Sequence, residues 1–447
     1  MISTRVEHLV KSEEDWMIFK AYYDKWIKSV EGPEFHEMTR AIGFMGENGV
    51  PDMEIPYVFD HVCTKILRIV CLMNIRLLLS LQRALQAISL RPVDKNLLMG
   101  PVGGPELIKS VYGIDLPKDR WRVEQHRILD VDMIYTLGTP KEIGTPSTRV
   151  TEGSFEELKE GFPYTDCFHI AYKGCRLART KDATQLWVIE RPFRNYDELL
   201  HYLKSYDPRD DETRSIEEIS EGYKETYERE QQLFGDITLV AGQLYLTLFT
   251  YLLIHIGHVF VTRLAFQNPE ELDEVVSRYS EVTTKHVDAW SRTGIKLLVS
   301  HDDIAWQKGP IMSPKWFGER IFPYYKKIWK PAKDAGLKIM FVSDGNYVPL
   351  MKGLADAGVD GYHIEWDPRL SRPTLEAVVT KYGQDKILAF GPNYEIMTYG
   401  KAEEVVSEAE WISNLAKTVP AHFLSDVNGT TNNVELFWRA WDRNRQR

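Results

Sequence analysis

The second half of the sequence repeats one pattern, in which a short apolar run is followed by a turn and an amphipathic segment of helical spacing. Six runs rich in aliphatic residues define it: Asp236–Val240, Ile295–Ser300, Leu337–Ser343, Val359–Glu365, Lys386–Gly391 and Ala421–Ser425. Continuous apolar runs are typical of parallel strands that are buried on both faces. Strands that alternate with helices predict a parallel sheet covered by helices.

The segments between these runs carry the start and stop signals of helices. Ser313 and Asn268 each stand before a proline, so each can cap a helix whose first position is that proline. Gly358 follows the segment "LMKGLADA" and can adopt the left-handed conformation that ends a helix. The spacing therefore predicts helices directly after the predicted strands.

The first half of the chain adds two candidate strands, "DKNLLMG" (residues 94–100) and "TDCFHIAY" (residues 165–172). A third segment, "TQLWVIERPF" (residues 184–193), indicates part of a hairpin. With these segments about eight parallel strands are expected, which closes a (β/α)8 TIM barrel, and an open doubly wound sheet is the alternative. Because no G-x-G-x-x-G motif follows a strand, we expect no dinucleotide site of the Rossmann type.

The N-terminal residues do not follow the repeat. Residues 13–30 form a strongly amphipathic helical pattern, and residues 62–88 are apolar but interrupted by basic side chains such as Arg76 and Arg83. We therefore predict two domains, an N-terminal helical extension over residues 1–85 and the barrel over residues 86–447. The extension is expected to cap the barrel or to pack in a homodimer.

Charge and cysteine content narrow the class of protein. The formal net charge of -10 argues against nucleic acid or an acidic membrane as the main partner. Four cysteines in 447 residues do not make a disulfide scaffold, and the start "MISTRVEHLVKSEEDW" has no apolar signal segment. The sequence therefore predicts a cytoplasmic protein with reduced thiols.

One uncharged stretch has the length of a membrane span. Residues 237–262 carry no Lys, Arg, Asp or Glu, but Gly242, Gln243, His255 and His258 interrupt them. We expect a buried strand followed by a buried helix here, and no membrane span.

Polar side chains follow five of the predicted strands. They are His301, Asp302, Asp303, Ser343, Asp344, Asn346, His363, Glu365, Asn393, Ser425, Asp426 and Asn428. In a parallel barrel the loops after the strands form the active face, although Asp and Asn are also common in turns. We expect Asp302, Asp344 and Glu365 to converge there as catalytic carboxylates, with His363 as a fourth catalytic side chain. Carboxylates brought close together need a metal or a shared proton.

The same loops supply candidate ligands for a metal and for a substrate. His301, Asp344 and Glu365 are the predicted zinc ligands, the histidine acting through a neutral imidazole. Seven side chains are predicted to bind substrate: Trp306, Gln307, Asn346, Tyr347, Trp366, Asn393 and Asn428. The aromatic members suit a flat, apolar molecule, with ordinary packing as the alternative.

Four segments together resemble the uroporphyrinogen decarboxylase superfamily. They are "ALQAISLRPVDKNLLMGPVGGPEL", "VAGQLYLTLFTYLLIHIGHVFVTRLAFQNPEELDEVV", "SHDDIAWQKGPIMSPKWFGERIFPYYKKI" and "SDGNYVPLMKGLADAGVDGYHIEW". The likeness extends from about Leu81 to the C-terminus. It implies a (β/α)8 barrel with one of two chemistries, which are decarboxylation of uroporphyrinogen without a cofactor and methyl transfer to or from a corrinoid protein, usually with zinc.

Departures from the family pattern favour methyl transfer. The decarboxylases open with a basic loop that binds a polycarboxylate substrate, whereas "LLMGPVGGPEL" contains no arginine. Asn428 replaces the histidine of their C-terminal loop. Ser343 and Asp344 replace the His-x-Cys of the thiol-directed methyltransferases, and the second half of the chain has no cysteine.

The resemblance therefore implies a methyltransferase that moves a methyl group from a small donor, such as an aromatic methyl ether, to a corrinoid carried by a partner protein. Zinc, where bound, polarises the leaving oxygen. Two alternatives stay open. One is a decarboxylase that uses Arg369 and Arg372 as its basic pocket, and the other is a non-catalytic barrel subunit.

Overall fold

The structure, a computed structural model, describes residues 80–100, 102–136, 150–151, 168–172, 175–179, 186–235, 237–364 and 370–446. Eight parallel strands form the central sheet. They are β1 (Leu97–Leu98), β2 (Met133–Tyr135), β7 (Leu239–Tyr245), β8 (Leu297–His301), β11 (Lys338–Ser343), β12 (Gly361–Ile364), β13 (Ile387–Phe390) and β14 (His422–Leu424). Their order is β1-β14-β13-β12-β11-β8-β7-β2, and a parallel bridge between Met99 and Met133 joins the two end strands. The sheet thus closes as the predicted (β/α)8 TIM barrel.

Helices follow the strands and cover the outside of the sheet. They are α1 (80–88), α2 (Pro105–Tyr112), α3 (Trp121–Leu129), α4 (Tyr196–Ser205), α5 (Ile216–Phe234), α6 (Phe249–His255), α7 (His258–Gln267), α8 (Pro269–Ser291), α9 (Pro314–Arg320), α10 (Phe322–Asp334), α11 (Met351–Ala357), α12 (Arg372–Tyr382), α13 (Tyr394–Tyr399), α14 (Ala402–Ala416) and α15 (Thr431–Arg443). Short 3-10 turns span Pro208–Asp211 and Val348–Leu350.

The helix signals read from the sequence have mixed outcomes. Ser313 caps α9, because its Oγ accepts a hydrogen bond from the Trp316 N–H at 3.2 Å. Gly358 ends α11 in the left-handed conformation, with φ at 116°. Asn268 precedes α8 as predicted but its side chain does not cap that helix, since its Oδ1 accepts a hydrogen bond from the Tyr196 hydroxyl at 2.8 Å.

A second sheet lies outside the barrel and corrects one strand prediction. It is antiparallel and contains β3 (Val150–Thr151), β4 (Phe168–Tyr172), β5 (Cys175–Arg179) and β6 (Leu186–Glu190). The segment "TDCFHIAY", expected in the barrel, supplies β4 of this sheet, and the barrel instead uses β2, which the sequence pattern did not indicate. The hairpin predicted around residues 184–193 is confirmed, because β6 pairs with β5.

The inside of the barrel is filled by apolar side chains from alternate strand positions. Val299, Met340, Val342 and Ala389 belong to this inner cluster, whereas Leu298 and Phe341, one residue along each strand, pack against the outer helices. This alternation follows from the pleat, which sends successive side chains to opposite faces. It also decides which residues at the strand ends can reach the inside of the barrel.

Buried ion pairs stabilise the end of the barrel at which the parallel strands begin. Asp132, which is fully buried, accepts hydrogen bonds from the Leu98 N–H at 2.8 Å and from Arg445 at 3.0 Å, and it also pairs with Arg83. Arg445 further donates to the carbonyl oxygen of Leu129 at 2.8 Å. Arg445, two residues beyond the last helix, is thereby tied to the first two strands.

His126 on α3 links stability to pH. Its ring is buried, stacks on Phe234 at a centroid distance of 4.5 Å, and lies 3.3 Å from the Thr238 hydroxyl. Burial, with a smaller contribution from Arg122, lowers the pKa of His126 to about 3. The folded ring therefore stays neutral as the pH falls below about 6.5, while the unfolded chain takes up a proton.

We expect His126→Gln to reduce the loss of stability on acidification. In the wild type this group stabilises fully above about pH 6.5, and its contribution falls by at most about 1.4 kcal/mol per pH unit as the pH drops toward 3. Urea unfolding at about pH 7.5 and about pH 5 measures the difference. His201→Gln, at an exposed position on α4, is the control and should keep the wild-type pH dependence. An unchanged pH dependence in His126→Gln would contradict the assignment.

Among the described residues, no single helix has the length and hydropathy of a membrane span. Helices α6 and α7 meet those criteria only as a pair, and they are bent by 112° at their junction. The stretch at residues 237–262 therefore contains a strand and two helices. Of the predicted N-terminal extension, only residues 80–85 lie within the described residues, and they belong to α1. The domain division at residue 85 and the homodimer stay predictions.

Candidate functional site

Three ligand side chains converge at the barrel mouth, the end of the barrel where all eight parallel strands finish. The ligand atoms of His301, Asp303 and Asp344 all lie within 4.8 Å of one another. We call these residues the His301 cluster. His301 Nε2 lies 3.1 Å from Asp303 Oδ1, and the same carboxylate oxygen accepts the Asp344 N–H at 3.1 Å.

The strand pleat explains this convergence. His301 is the last residue of β8, and Asp303 stands two positions later, so both side chains point to the same face. The backbone N–H of Asp303 is held by the Thr250 hydroxyl at 2.6 Å. Asp344 follows β11, the neighbouring strand, in which Val342 is in register with His301.

The electrostatics of the His301 cluster favour the ionised form of Asp303. Burial alone would raise the pKa of Asp303, but the hydrogen bond and charge of His301, with the Asp344 N–H, hold it below its usual value. His301 is only 9% exposed, and its ring meets the edge of Tyr245 at a centroid distance of 4.6 Å. Asp344 is exposed, so the cluster opens toward solvent.

Asp302 does not join this group, which corrects the expectation that it would converge with Asp344. Its side chain is fully buried and accepts backbone hydrogen bonds from Leu248 at 2.8 Å, Phe249 at 2.6 Å and Thr250 at 2.6 Å. The Tyr325 hydroxyl donates a fourth at 2.6 Å. A carboxylate at the N-terminus of α6 satisfies donors that a helix start leaves open. Asp302 therefore holds the loop after β7 in place.

We expect Asp302→Asn to lower the free energy of unfolding by about 1–3 kcal/mol, because one carboxylate oxygen is replaced by a donor that faces other donors. Denaturant unfolding measures the change, with Asp356→Asn at an exposed helix position as the control. Zinc binding should be retained. Loss of zinc with unchanged stability would show that Asp302 is a ligand after all.

A short hairpin supports the loop that carries Asp344. It pairs β9 (Ala305–Trp306) with β10 (Gly309–Pro310), and the Trp306 carbonyl accepts the Asn346 N–H at 2.9 Å. Gly345 has a φ of 74°, and a Cβ there would lie 2.6 Å from the Trp306 carbonyl carbon. Glycine is thus required at this position. The contact holds the Trp306 backbone against the loop that carries Asp344. The Trp306 side chain is 54% exposed and its ring lies 5.3 Å from that of His258, and Gln307 is exposed as well.

A second polar pair lies at the same mouth. His363, on β12, is 1% exposed, and its Nε2 lies 2.7 Å from Asp426 Oδ2, beyond the end of β14. Val342 is in register with His301 on one side and with His363 on the other. The two histidines therefore point into the barrel from strands two spacings apart, with about 10 Å between their Cα atoms.

The other predicted site residues have varied positions. The buried Tyr347 hydroxyl donates to the His363 carbonyl at 2.9 Å, and Asn346 Oδ1 accepts the Val348 N–H at 3.3 Å. Asn393 Oδ1 caps α13 by accepting the N–H of Glu395 at 2.8 Å. Asn428 is exposed on the loop after β14. Glu365, Trp366 and Arg369 lie outside the described residues, so their predicted roles stay predictions.

Three residues of the site were not among the predicted catalytic, substrate-binding or zinc-ligand residues, although two of them were noted as polar residues that follow strands. They are Asp303, Asp426 and Tyr245. The i, i+2 spacing from His301 was the available signal for Asp303, because it fixes the shared face. Asp426 was noted at a strand end, but its partner His363 is 63 residues away in sequence. Nothing in the local pattern around Tyr245 indicated a site.

The His301 cluster fits a zinc ion by its chemistry. One imidazole nitrogen and two carboxylates supply three protein ligands, which is the number found in catalytic zinc sites that keep a position open for water or substrate. Two of the three, His301 and Asp344, are ligands predicted from the sequence. Asp303 joins them, and Glu365 lies outside the described residues.

Comparisons with known proteins agree with this architecture. The family model described as uroporphyrinogen decarboxylase (URO-D) matches residues 174–425, more than half of the chain. No curated protein sequence matches the chain. A methyltransferase from Methanosarcina mazei has a similar structure, with a TM-score of 0.54 at 15% identity over 81% of this chain and 98% of that one.

Two sugar epimerases show weaker structural similarity. D-psicose 3-epimerase from Clostridium cellulolyticum H10 matches with a TM-score of 0.31 at 9% identity, covering 49% of this chain and 81% of that one. D-allulose 3-epimerase from Methylomonas sp. matches with a TM-score of 0.31 at 11% identity, covering 57% and 93%.

Proposed function

We propose that this chain, which belongs to the uroporphyrinogen decarboxylase family, is a methyltransferase that moves a methyl group from a small O-methyl or N-methyl donor to a corrinoid carried by a partner protein. An aromatic methyl ether is the donor that the sequence favours. The observation that carries the proposal is the His301 cluster at the barrel mouth, since a nitrogen and oxygen ligand set is suited to an oxygen or nitrogen leaving atom. The cytoplasmic location predicted from the sequence is part of this proposal.

Zinc bound by His301, Asp303 and Asp344 would supply Lewis-acid polarisation of the leaving heteroatom. The protein contributes the rest. Tyr245 packs edge-on against the His301 ring and restrains its orientation, and the Thr250 hydroxyl holds the backbone N–H of Asp303 at 2.6 Å. Val342, in register between the two histidines, gives the site an apolar floor.

The reaction breaks the bond between the methyl carbon and the donor heteroatom, and the electron pair stays on that heteroatom. A corrinoid in its Co(I) state, carried by the partner protein, would accept the methyl group and supply the electron pair of the new bond. The departing oxygen or nitrogen then takes up a proton from solvent, which reaches the cluster through the exposed side of Asp344. An exposed mouth beside Trp306 also leaves room for the partner to approach.

The decarboxylase alternative requires Arg369 and Arg372 as a basic pocket, and of these only Arg372 lies within the described residues. Arg372 Nη2 lies 2.6 Å from Glu408 Oε2, and its guanidinium lies over the Trp411 ring at 5.0 Å. The Arg372 guanidinium is therefore already paired with Glu408 in the helical layer outside the barrel, where it cannot bind substrate carboxylates.

Two histidine–aspartate pairs at the barrel mouth, His301 with Asp303 and His363 with Asp426, argue against a non-catalytic barrel subunit. The pKa values of Asp303 and Asp426 are both lowered, against the effect of burial, by the histidines beside them. Paired titratable groups with shifted pKa values at a barrel mouth are typical of catalytic sites.

Methyl transfer to free cob(I)alamin tests the proposal. Zinc-loaded protein is mixed with a panel of methoxybenzenes, methylamines and methanol, and formation of methylcobalamin is followed by visible absorbance. We expect transfer from at least one donor. In Asp344→Ala we expect the rate to fall by about 100-fold or more. Glu410→Ala, at an exposed helix position, is the control and should keep the wild-type rate. Carbon dioxide release from a porphyrinogen, with no methyl transfer from any donor, would overturn the proposal.

A further inference from the structure

The ring of His363 carries one nitrogen that is satisfied and one that is not. Nε2 lies 2.7 Å from Asp426 Oδ2. Nδ1 is buried and has no hydrogen-bond partner among the described residues. Because His363 is in register with the inner residues Val342 and Ala389, its side chain lies on the inside of the barrel. The unsatisfied nitrogen is thus part of the mouth that contains the His301 cluster.

Asp426 fixes which nitrogen carries the hydrogen. An ionised carboxylate only accepts hydrogen bonds, so Nε2 is the nitrogen that donates. In the neutral ring Nδ1 is then left as an acceptor.

Asp426 is itself held in an unusual backbone conformation. Its φ is 51°, in the left-handed region that non-glycine residues adopt infrequently and that clusters at functional sites. The loop after β14 therefore bends in a way that keeps this carboxylate against His363.

A buried acceptor without a donor is unfavourable unless a ligand supplies one. We propose that His363 is a specificity-determining residue, whose Nδ1 accepts a hydrogen bond from an O–H or N–H group of the bound methyl donor. This inference rests on the proposed function, because it names the chemical class of the donor for the same site. It predicts that the donor keeps a free hydroxyl or amine hydrogen besides its methylated heteroatom.

The spacing of the two polar pairs supports a donor of modest size. His301 and His363 point inward from strands two spacings apart, about 10 Å between Cα atoms, so one small ring can contact both. The methylated heteroatom would face the His301 cluster, and the O–H or N–H would face His363. A fully methylated analogue of the same shape would leave Nδ1 unsatisfied.

Matched ligand pairs test this without any turnover. Guaiacol carries a methoxy group and a free hydroxyl, veratrole has that hydroxyl methylated, and o-anisidine replaces it with an amine. Their dissociation constants for zinc-loaded wild type and His363→Phe are measured by titration calorimetry. We expect the wild type to prefer guaiacol or o-anisidine over veratrole by about ten-fold or more, and His363→Phe to reduce that preference below about two-fold. If only one of the two binds preferentially, the donor group is identified as hydroxyl or amine.

Equal affinity for the three ligands in the wild type would overturn the inference, and so would the absence of binding by all three. Should His363→Phe fail to fold, nitrogen NMR of wild-type protein labelled at histidine decides the same point. An Nδ1 that carries hydrogen contradicts the proposal, and a bare Nδ1 whose resonance shifts with guaiacol supports it. Because binding is read without methyl transfer, a failed methyl-transfer assay leaves this result standing, and transfer without the preference removes this inference alone.

Discussion

Replacing Asp132 with alanine is expected to lower the free energy of unfolding by about 3–5 kcal/mol, because the change leaves buried cations without their partner. Asp132 is fully buried and pairs with Arg83 and Arg445, each of whose side chains is only 3% exposed. The carboxylate also accepts the Leu98 N–H at 2.8 Å, which belongs to the first barrel strand. This one substitution therefore removes contacts of the first two barrel strands and of the C-terminal residues together.

The surrounding charges strengthen this expectation. Burial, together with Arg445 and Arg83, lowers the pKa of Lys95 to about 7, so positive charge is already crowded at this end of the barrel. Removing a negative charge increases the repulsion.

Guanidinium unfolding followed by circular dichroism measures the effect of the substitution. The control is Asp94→Ala, which removes another carboxylate bonded to Arg83 but one that is 57% exposed, and which should cost at most about 1 kcal/mol. Equal losses for the two variants would show that burial of Asp132 is not what matters.

The barrel was predictable from its second half because each strand there is an apolar run bounded by a helix signal. The first half was not predictable to the same extent. Strand β2 has only three residues, and its pairing with β7 is long-range, so no local periodicity marks it. The segment "TDCFHIAY" is strand-forming as predicted, but its partners are the antiparallel strands β3 and β5. An apolar run reports burial without identifying the sheet to which the strand belongs.

The residues of the site were harder to predict from the sequence than the strands. In "SHDD" the sequence places two aspartates at one strand end, and composition does not tell which of them faces inward. The pleat sends Asp303 to the side of His301 and sends Asp302 to the N-terminus of α6. A shift of one residue thus exchanges a ligand for a structural carboxylate. The periodicity from His301 was the information that separates the two.

The pairing of His363 with Asp426 was beyond local patterns. His363 on β12 and Asp426 just beyond β14 are separated by β13, so their hydrogen bond exists only when these three neighbouring strands have paired. The sequence indicated that both residues follow apolar runs. It held no signal that they meet, because that depends on the register of three neighbouring strands.

Replacing Asp303 with alanine is expected to weaken zinc binding by about 100-fold or more while changing the free energy of unfolding by at most about 1 kcal/mol. The substitution removes one of the three ligands, and the two remaining side chains cannot replace it. Stability is little affected, because the Asp303 side chain is partly exposed and bonds only to groups at the open mouth.

Competition with a chromophoric chelator measures the zinc affinity, and the same samples are unfolded in guanidinium. Asp302→Asn is the matched control, since it changes the adjacent carboxylate and is expected to lower stability with zinc affinity kept. Asp303→Ala should therefore lower zinc affinity and keep stability, whereas Asp302→Asn should lower stability and keep zinc affinity. Zinc affinity that survives in Asp303→Ala and falls in Asp302→Asn would reverse the assignment of ligand and structural carboxylate. Such a result would require the strand end at His301 to be shifted by one residue, because only then would Asp302 face the inside of the barrel.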